Sequence, residues 1–248
     1  MEYMKKAALL MLVYVLFALT ACGGSIANNE AAGAAVIDED ELSLTYILPP
    51  PNTDGDLSIE SALENRRSQR NFRDKPLSVD QLSQILWAAY GITSPRPDNP
   101  SLRGGLRTAP SAGALYPLEV YAIVGNVDGI EPGAYKYLSE EHKIIMVASG
   151  DVRDSLADAV FRQSMVTEAP AAIFYSAVFS RTTERYGEQG RHFVYIELGH
   201  SAQNVYLQAE ALQLGTCAIG TVTEAAREIL NLPEEEDPLY LMPIGYYQ

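Results

Sequence analysis

Arg107-Thr108-Ala109-Pro110-Ser111-Ala112-Gly113-Ala114-Leu115-Tyr116-Pro117 is the stretch around which this chain is organised. Pro110 and Pro117 each lack a backbone donor and fix φ, so neither a long helix nor a good strand runs through it. The Ala, Ser and Gly residues between them leave backbone amides open to close approach by something flat. On these residues alone a second reading stands beside the first: an ordinary turn leading into the strand that follows. Deciding between them requires the flanking sequence.

Upstream, Ile92 to Gly105 is rich in Pro, Gly and Ser and reads as a long loop feeding this stretch, and loops of that length inside a domain are often functional. Before it, Ser78-Val79-Asp80-Gln81 fits a capping box. Leu82, Ile85, Leu86 and Ala89 follow at helical spacing, which predicts a helix over 79–90 ending at Gly91, with Trp87 in the core. Earlier still, Ser58 opens a helix to about Arg66. That helix runs into Arg66-Arg67-Ser68-Gln69-Arg70-Asn71-Phe72-Arg73, four arginines in eight residues of an acidic chain. Forked guanidinium donors with a nearby hydroxyl suit a phosphate monoester. A basic surface patch paired with the chain's many carboxylates is the alternative.

Downstream, Glu119 to Gly125 reads as a strand, and Ala134–Leu138 with Lys143–Ala148 as a hairpin. Asp151 would cap a helix to about Gln163, and Ala171 to Phe179 is a buried strand. The longest helix is expected over Arg191–Leu214, with Leu198, Ala202, Val205, Ala209 and Leu212 in one apolar stripe and Glu197, His200, Gln203 and Asn204 on other faces. Such a helix suits a subunit interface. His192, Glu197 and His200 lack metal-ligand spacing, so no metal is expected. Thr216–Val222 follows as strand or loop, then a short helix capped by Thr223 and a last strand over Leu239–Tyr246.

At the other end, Lys5-Lys6 precedes an uncharged run of 15 residues, Ala7 to Ala21, and then Leu19-Thr20-Ala21-Cys22-Gly23. The run is short for a membrane span, which needs roughly 20 residues, and its end fits a processing site. Residues 1–21 are expected to be a lipoprotein signal peptide, with Cys22 carrying lipid; an uncleaved anchor is the alternative. The protein is therefore expected to be extracytoplasmic, on the periplasmic or cell-surface face of a bacterial membrane. Residues 22–56, with Asp38-Glu39-Asp40-Glu41 and Pro49-Pro50-Pro51, read as a tether, in which 42–48 could lie on the domain as a strand. Residues 57–248 form the folded domain.

Composition bounds the partners. Against 18 Lys and Arg stand 32 Asp and Glu, a net charge of −14 that repels nucleic acid over most of the surface. An anionic ligand must be held by a local cationic cluster. The two cysteines, Cys22 and Cys217, imply no disulfide framework.

The Arg-Arg-Ser-x-Arg motif, Pro-Ser-Ala-Gly-Ala-Leu-Tyr-Pro, Gly199-His200-Ser201-Ala202-Gln203-Asn204, and Leu214-Gly215-Thr216-Cys217-Ala218-Ile219-Gly220 together resemble the nitroreductase family of FMN enzymes. Within it they resemble most the SagB-type dehydrogenases, or thiazole/oxazole oxidases. The resemblance spans about Leu57 to Tyr246. It implies an α+β fold with a central, mostly antiparallel sheet flanked by helices, an intertwined homodimer, and FMN as cofactor. Carried over by motif, Arg66, Arg67, Ser68 and Arg70 would hold the phosphate and ribityl end. Pro110, Ser111, Ala112 and Gly113 would line the isoalloxazine, and Ala218, Ile219, Gly220 and Thr221 would present backbone at its reactive edge. The resemblance further implies that hydride would pass through flavin N5 to or from a small organic substrate, with no side-chain nucleophile needed.

Two departures stand out. Many family members continue past the last strand with basic residues that add to the phosphate site, whereas this sequence stops at Gln248, which throws weight on the N-terminal arginines. Where azoline oxidases tend to carry Lys-Tyr, this chain has Arg185-Tyr186, and arginine does not readily shuttle a proton. Arg185 and Tyr186 remain the substrate-side candidates. The resemblance leaves two alternatives to a general oxidoreductase: a non-catalytic flavin- or ligand-binding lipoprotein, and an azoline oxidase in peptide maturation.

Overall fold

Leu44, Tyr46 and Leu48 alternate with smaller or polar neighbours, the period of a strand with one covered face. In a computed structural model, which describes residues 35–38 and 43–248, that pattern is a strand, β2 (Ser43–Ile47), paired with β1 (Ala35–Asp38). Tyr46 and Leu48 are buried in the main core. The folded unit therefore takes in residues assigned from sequence to the tether: the apolar alternation outweighs the proline run, which follows the strand without dissolving it. The signal segment and Cys22 lie outside the described residues.

From there the chain runs through α1 (Ile59–Asn65), α2 (Val79–Tyr90), β3 (Ile92–Pro95), β4 (Gly105–Arg107), β5 (Leu118–Val124), β6 (Gly133–Leu138) and β7 (Lys143–Ser149). It continues with α3 (Arg153–Ala159), α4 (Met165–Glu168), β8 (Ala171–Ala177), α5 (Ser180–Tyr186), α6 (Gln189–Ala211), β9 (Gly215–Thr216), α7 (Ala225–Ile229) and β10 (Asp237–Gly245). Eight strands form one sheet in the order β1-β2-β7-β6-β5-β8-β10-β9, and every pairing is antiparallel. This is the α+β class expected.

β5 and β8 are buried along their whole length, because both faces of the sheet are covered. Alternation assigns the faces. Val120, Ala122 and Val124 of β5 pack with Ile85 and Leu86 of α2 and Val194 and Val205 of α6. Tyr121 and Ile123 point the other way, with Leu156 of α3, Met165 of α4 and Ala226 of α7. α6 thus lies along one face of the sheet, beside α2.

The capping box forms as expected: Ser78 accepts from the Gln81 amide while Gln81 accepts from that of Ser78. Elsewhere the chain departs from expectation. α3 ends at Ala159, because Phe161 and Arg162 turn into the left-handed region (φ 60° and 58°). The buried strand stops at Ala177, and an unanticipated α5 opens at Ser180. Part of the long 92–105 loop pairs as β3 with β4. Trp87 is half-buried, its indole N–H donating to the Ile92 carbonyl at 3.4 Å.

Candidate functional site

α6 is the spine of the candidate site. Its apolar stripe, Leu198, Ala202, Val205 and Ala209, is buried against the sheet. That leaves three polar side chains, Glu197, Asn204 and Tyr206, to tie down the segments singled out from sequence.

Tyr206 joins two of them. Its hydroxyl accepts the Ala218 amide at 2.9 Å and shares a hydrogen bond of 3.1 Å with the Ser68 hydroxyl. The Arg66 guanidinium lies 5.3 Å from the centre of its ring, in cation–π range. The backbone completes the junction: the Gln69 amide donates to the Thr216 carbonyl at 2.9 Å. A Cβ on Gly215 would lie 2.6 Å from that of Gln69, so glycine is needed for this approach.

The arginines here are not neutralised. Arg67 turns onto the carbonyls of Glu64 and Arg66, both at 2.8 Å. Among the described residues no carboxylate lies within ion-pair distance of Arg66, Arg67, Arg70 or Arg73, although the chain carries a net charge of −14. A patch paired with carboxylates would look different. Guanidinium groups free of carboxylates, beside the Ser68 hydroxyl in the chain, retain capacity for an anion.

Of the 218–221 segment, Ile219 is committed elsewhere. Its side chain is buried, and its amide and carbonyl both pair with Leu241. Gly220 and Thr221 are exposed, and theirs is the backbone open to a ligand.

The opening stretch is a strained corner. Gly113, Ala114 and Tyr116 have φ of 63°, 54° and 47°. For the two non-glycine residues this costs about 1–2 kcal/mol each. The surroundings hold it: the Ser111 hydroxyl accepts the Tyr116 amide at 2.9 Å, and the Tyr116 carbonyl accepts from Arg103 at 2.9 Å and Arg181 at 3.3 Å. Arg107 stacks between rings, 4.4 Å from the centre of Tyr90 and 4.8 Å from that of Tyr116. Asn204 donates to the Thr108 carbonyl at 3.2 Å. No hydrogen bond among the described residues links Pro110–Gly113 directly to the arginine motif or to 218–221; α6 connects them.

Below the corner, Glu197 accepts from the Tyr90 hydroxyl. Burial outweighs the neighbouring hydroxyls and Arg107 and pushes its carboxyl up to about 7. Glu119, also buried, is the opposite case. Burial would raise it, but Lys136, Arg181 and Arg103 win and hold it at about 2.

On the open side of the loop stand Arg185 and Tyr186. A Cβ on Gly113 would lie 2.8 Å from the Tyr186 hydroxyl and 2.9 Å from an Arg185 nitrogen. Glu197 is buried while His192 and His200 are exposed, so these three do not converge. Tyr206, Tyr90, Arg103 and Arg181 were not singled out from sequence. Helical spacing from Asn204 marks no role for a tyrosine two residues on, and the partners of the others are set only by the fold.

The Nitroreductase family model matches residues 63–246, most of the chain. The chain belongs to the nitroreductase family. It is 43% identical over 191 residues to a curated "putative nitroreductase" of Methanocaldococcus jannaschii, covering 77% of this chain and 91% of that one. It also matches the trifolitoxin-processing protein TfxB of Rhizobium leguminosarum bv. trifolii, at 32% identity over 127 residues, 49% of this chain but only 34% of that protein. Among solved structures, a nitroreductase described as putative from Ralstonia eutropha JMP134 superposes with a TM-score of 0.69 at 29% identity, over 82% of this chain and 90% of the other. This nitroreductase-family chain is thus an oxidoreductase by kinship.

Proposed function

We propose that the chain is an FMN-dependent oxidoreductase acting on a small organic substrate. The observation that carries this is the set of arginines without carboxylate partners among the described residues, of which Arg66, with Ser68, meets Tyr206 and through it Ala218. The residues fit the cofactor. The guanidinium groups and Ser68 suit a phosphate monoester, and the small residues Pro110–Gly113 form a surface a planar ring can approach. Gly220 and Thr221 leave backbone exposed. Arg66, Arg67, Ser68 and Arg70 would hold the phosphate and ribityl end. Bound FMN supplies hydride transfer at N5. The chain's own residues bind and orient, and Arg185 and Tyr186 stand where a substrate would meet Gly113.

Two features of the assembly belong to the same reading. A homodimer is favoured by the exposed Tyr195 and Ile196 on α6 and Ile59 and Leu63 on α1, large apolar side chains that a second copy would cover. An extracytoplasmic location, with lipid on Cys22 as the only membrane attachment, rests on the sequence of residues 1–23. A second reading, modification of a peptide, draws support from the similarity to TfxB and is weakened by arginine at position 185.

The test is an absorbance spectrum of purified protein incubated with FMN and desalted, followed by anaerobic titration with candidate donors. A bound flavin that is reduced and then reoxidised by quinones or nitroaromatics is expected. Protein that stays colourless would remove the proposal. Flavin that binds but never turns over would leave a non-catalytic binding protein.

A further inference from the structure

α5 is seven residues long, opens without a side-chain cap and buries only Thr182, so it is too short to hold its own course. Its far end leans on α6. The Tyr186 ring meets that of Phe193 edge-on at 5.1 Å, and a Cβ on Gly190 would lie 2.9 Å from the Thr182 carbonyl carbon. Its near end leans on the strained corner. The Val178 amide donates to the Pro117 carbonyl at 2.9 Å. Arg181 reaches two acceptors with one nitrogen, Nη1: the Tyr116 carbonyl at 3.3 Å and Oε1 of Glu119 at 2.6 Å. Beyond the β5–β8 ladder, these are the hydrogen bonds and ion pairs that join 178–187 to 111–119 among the described residues.

We propose that Arg181 is a positioning residue: anchored on Glu119, it docks α5 along the 113–116 corner and so fixes the gap in which Arg185 and Tyr186 face Gly113. Helical spacing supplies the link. Arg181 and Arg185 stand one turn apart and share a face of α5. The first meets the corner at Tyr116, and the second meets it at Gly113, where a Cβ would lie 2.9 Å from an Arg185 nitrogen. Losing the first contact leaves the second without a fixed approach.

The anchor is a charged cluster. Buried Glu119 takes Arg103 and Arg181 on Oε1, at 3.0 and 2.6 Å, and Lys136 on Oε2 at 3.3 Å. Lys136 also reaches Glu236 at 2.7 Å. Three cations thus share two carboxylates, and the Tyr116 carbonyl is drawn in as a further acceptor, from Arg103 at 2.9 Å and from Arg181. This holds Tyr116 at φ 47°, a region that non-glycine residues avoid. Arg103 lies in the loop before β4. Of the two guanidinium groups on that carbonyl, Arg181 is the one that belongs to α5 and carries the hold across.

The proposal rests on the reading that a substrate meets Gly113 beside Arg185, and the experiment separates the two. Hydrogen exchange of the ligand-free protein is followed over the peptides spanning 111–117 and 180–187. Arg181→Met keeps the length of the side chain and removes its charge and donors. Protection of both peptides is expected to fall about tenfold. Arg103→Met should loosen 111–117 and leave 180–187 as in the wild type. Because one nitrogen makes both contacts, an ammonium can stand in for it, and Arg181→Lys should restore 180–187. Arg181→Gln, neutral and shorter, carries the test if Arg181→Met does not fold.

With flavin bound, Arg181→Met should raise KM for a nitrobenzoate about fivefold with kcat little changed. It should add nothing in an Arg185→Gln background, because the effect runs through Arg185. A merely structural loss would lower kcat with the active fraction and would multiply with Arg185→Gln. The proposal is overturned by unchanged exchange of 180–187 in Arg181→Met, by an unchanged KM, or by a KM rise of the same factor in the Arg185→Gln background. The expected exchange profiles in protein that takes up no flavin support the docking by Arg181 and count against the flavin reading alone.

Discussion

The hydroxyl of Tyr206 accepts the backbone N–H of Ala218 at 2.9 Å, and the same oxygen meets Ser68 at 3.1 Å. One phenol thereby joins the backbone contact of Gln69 with Thr216 in holding the arginine motif to the glycine-bounded segment. Tyr206→Phe keeps the ring under Arg66 and deletes both bonds. The expected loss is about 1 kcal/mol of stability, since a partly buried amide is left short of its acceptor, together with weaker FMN binding. Urea unfolding and fluorescence titration measure the two, and unchanged values in both would show that the phenol is incidental.

The phosphate assignment has its own test. Because Arg66 and Arg70 are free of carboxylate partners, Arg66→Ala combined with Arg70→Ala removes cations that stabilise little in the unliganded protein. Thermal stability without ligand should change by no more than about 1 kcal/mol, while FMN passes into the filtrate on ultrafiltration. A full flavin complement retained by the double variant would rule the arginines out as the phosphate site.

Acid should dissect the other buried carboxyl. Glu119 is held at about 2, below an ordinary 4.5. A depressed carboxyl contributes stability that is present above about 4.5 and is lost as pH falls through 2. The difference corresponds to about 3 kcal/mol. Glu119→Gln should lose that much near neutrality, leaving Arg103, Lys136 and Arg181 crowded without their shared anion, and its deficit should shrink towards pH 2. Glu197 has the opposite sign: its raised value lowers stability as pH climbs to about 7. Chemical denaturation of Glu119→Gln and Glu197→Gln against pH reads the two slopes separately, and parallel curves would contradict the assignment.

Legibility in the sequence followed locality. The α2 boundaries were visible, because the Ser78–Gln81 box and the apolar spacing are encoded within a few residues. The arginine motif and the Pro110–Pro117 stretch stood out by composition alone. What joins them did not. Tyr206 reads as one more aromatic on a long helix, and its importance lies in Ser68 and Ala218 converging on it from distant parts of the chain. Glu197 was visible only as a carboxyl on a polar face, and burial decides its chemistry. α5 was missed because Ala171–Phe179 is apolar but for Tyr175 and Ser176, and nothing in that run marks where extended chain gives way to helix at Ser180.

Arg185 offers the last prediction, on specificity. It is exposed beside Gly113, its guanidinium carbon 5.4 Å from the Tyr186 ring centre, with no carboxylate among the described residues in ion-pair distance. A guanidinium on a chain of net charge −14 attracts anions locally. If the substrate approaches Gly113, a carboxylate-bearing acceptor such as a nitrobenzoate should be preferred over neutral nitrobenzene. Arg185→Gln should then raise KM for the carboxylate acceptor about 5- to 10-fold, the equivalent of roughly 1 kcal/mol, with kcat and the neutral acceptor little affected. The preference should also weaken with added salt, as an exposed charge requires. Equal effects on both acceptors would mean that Arg185 serves the loop and not the substrate.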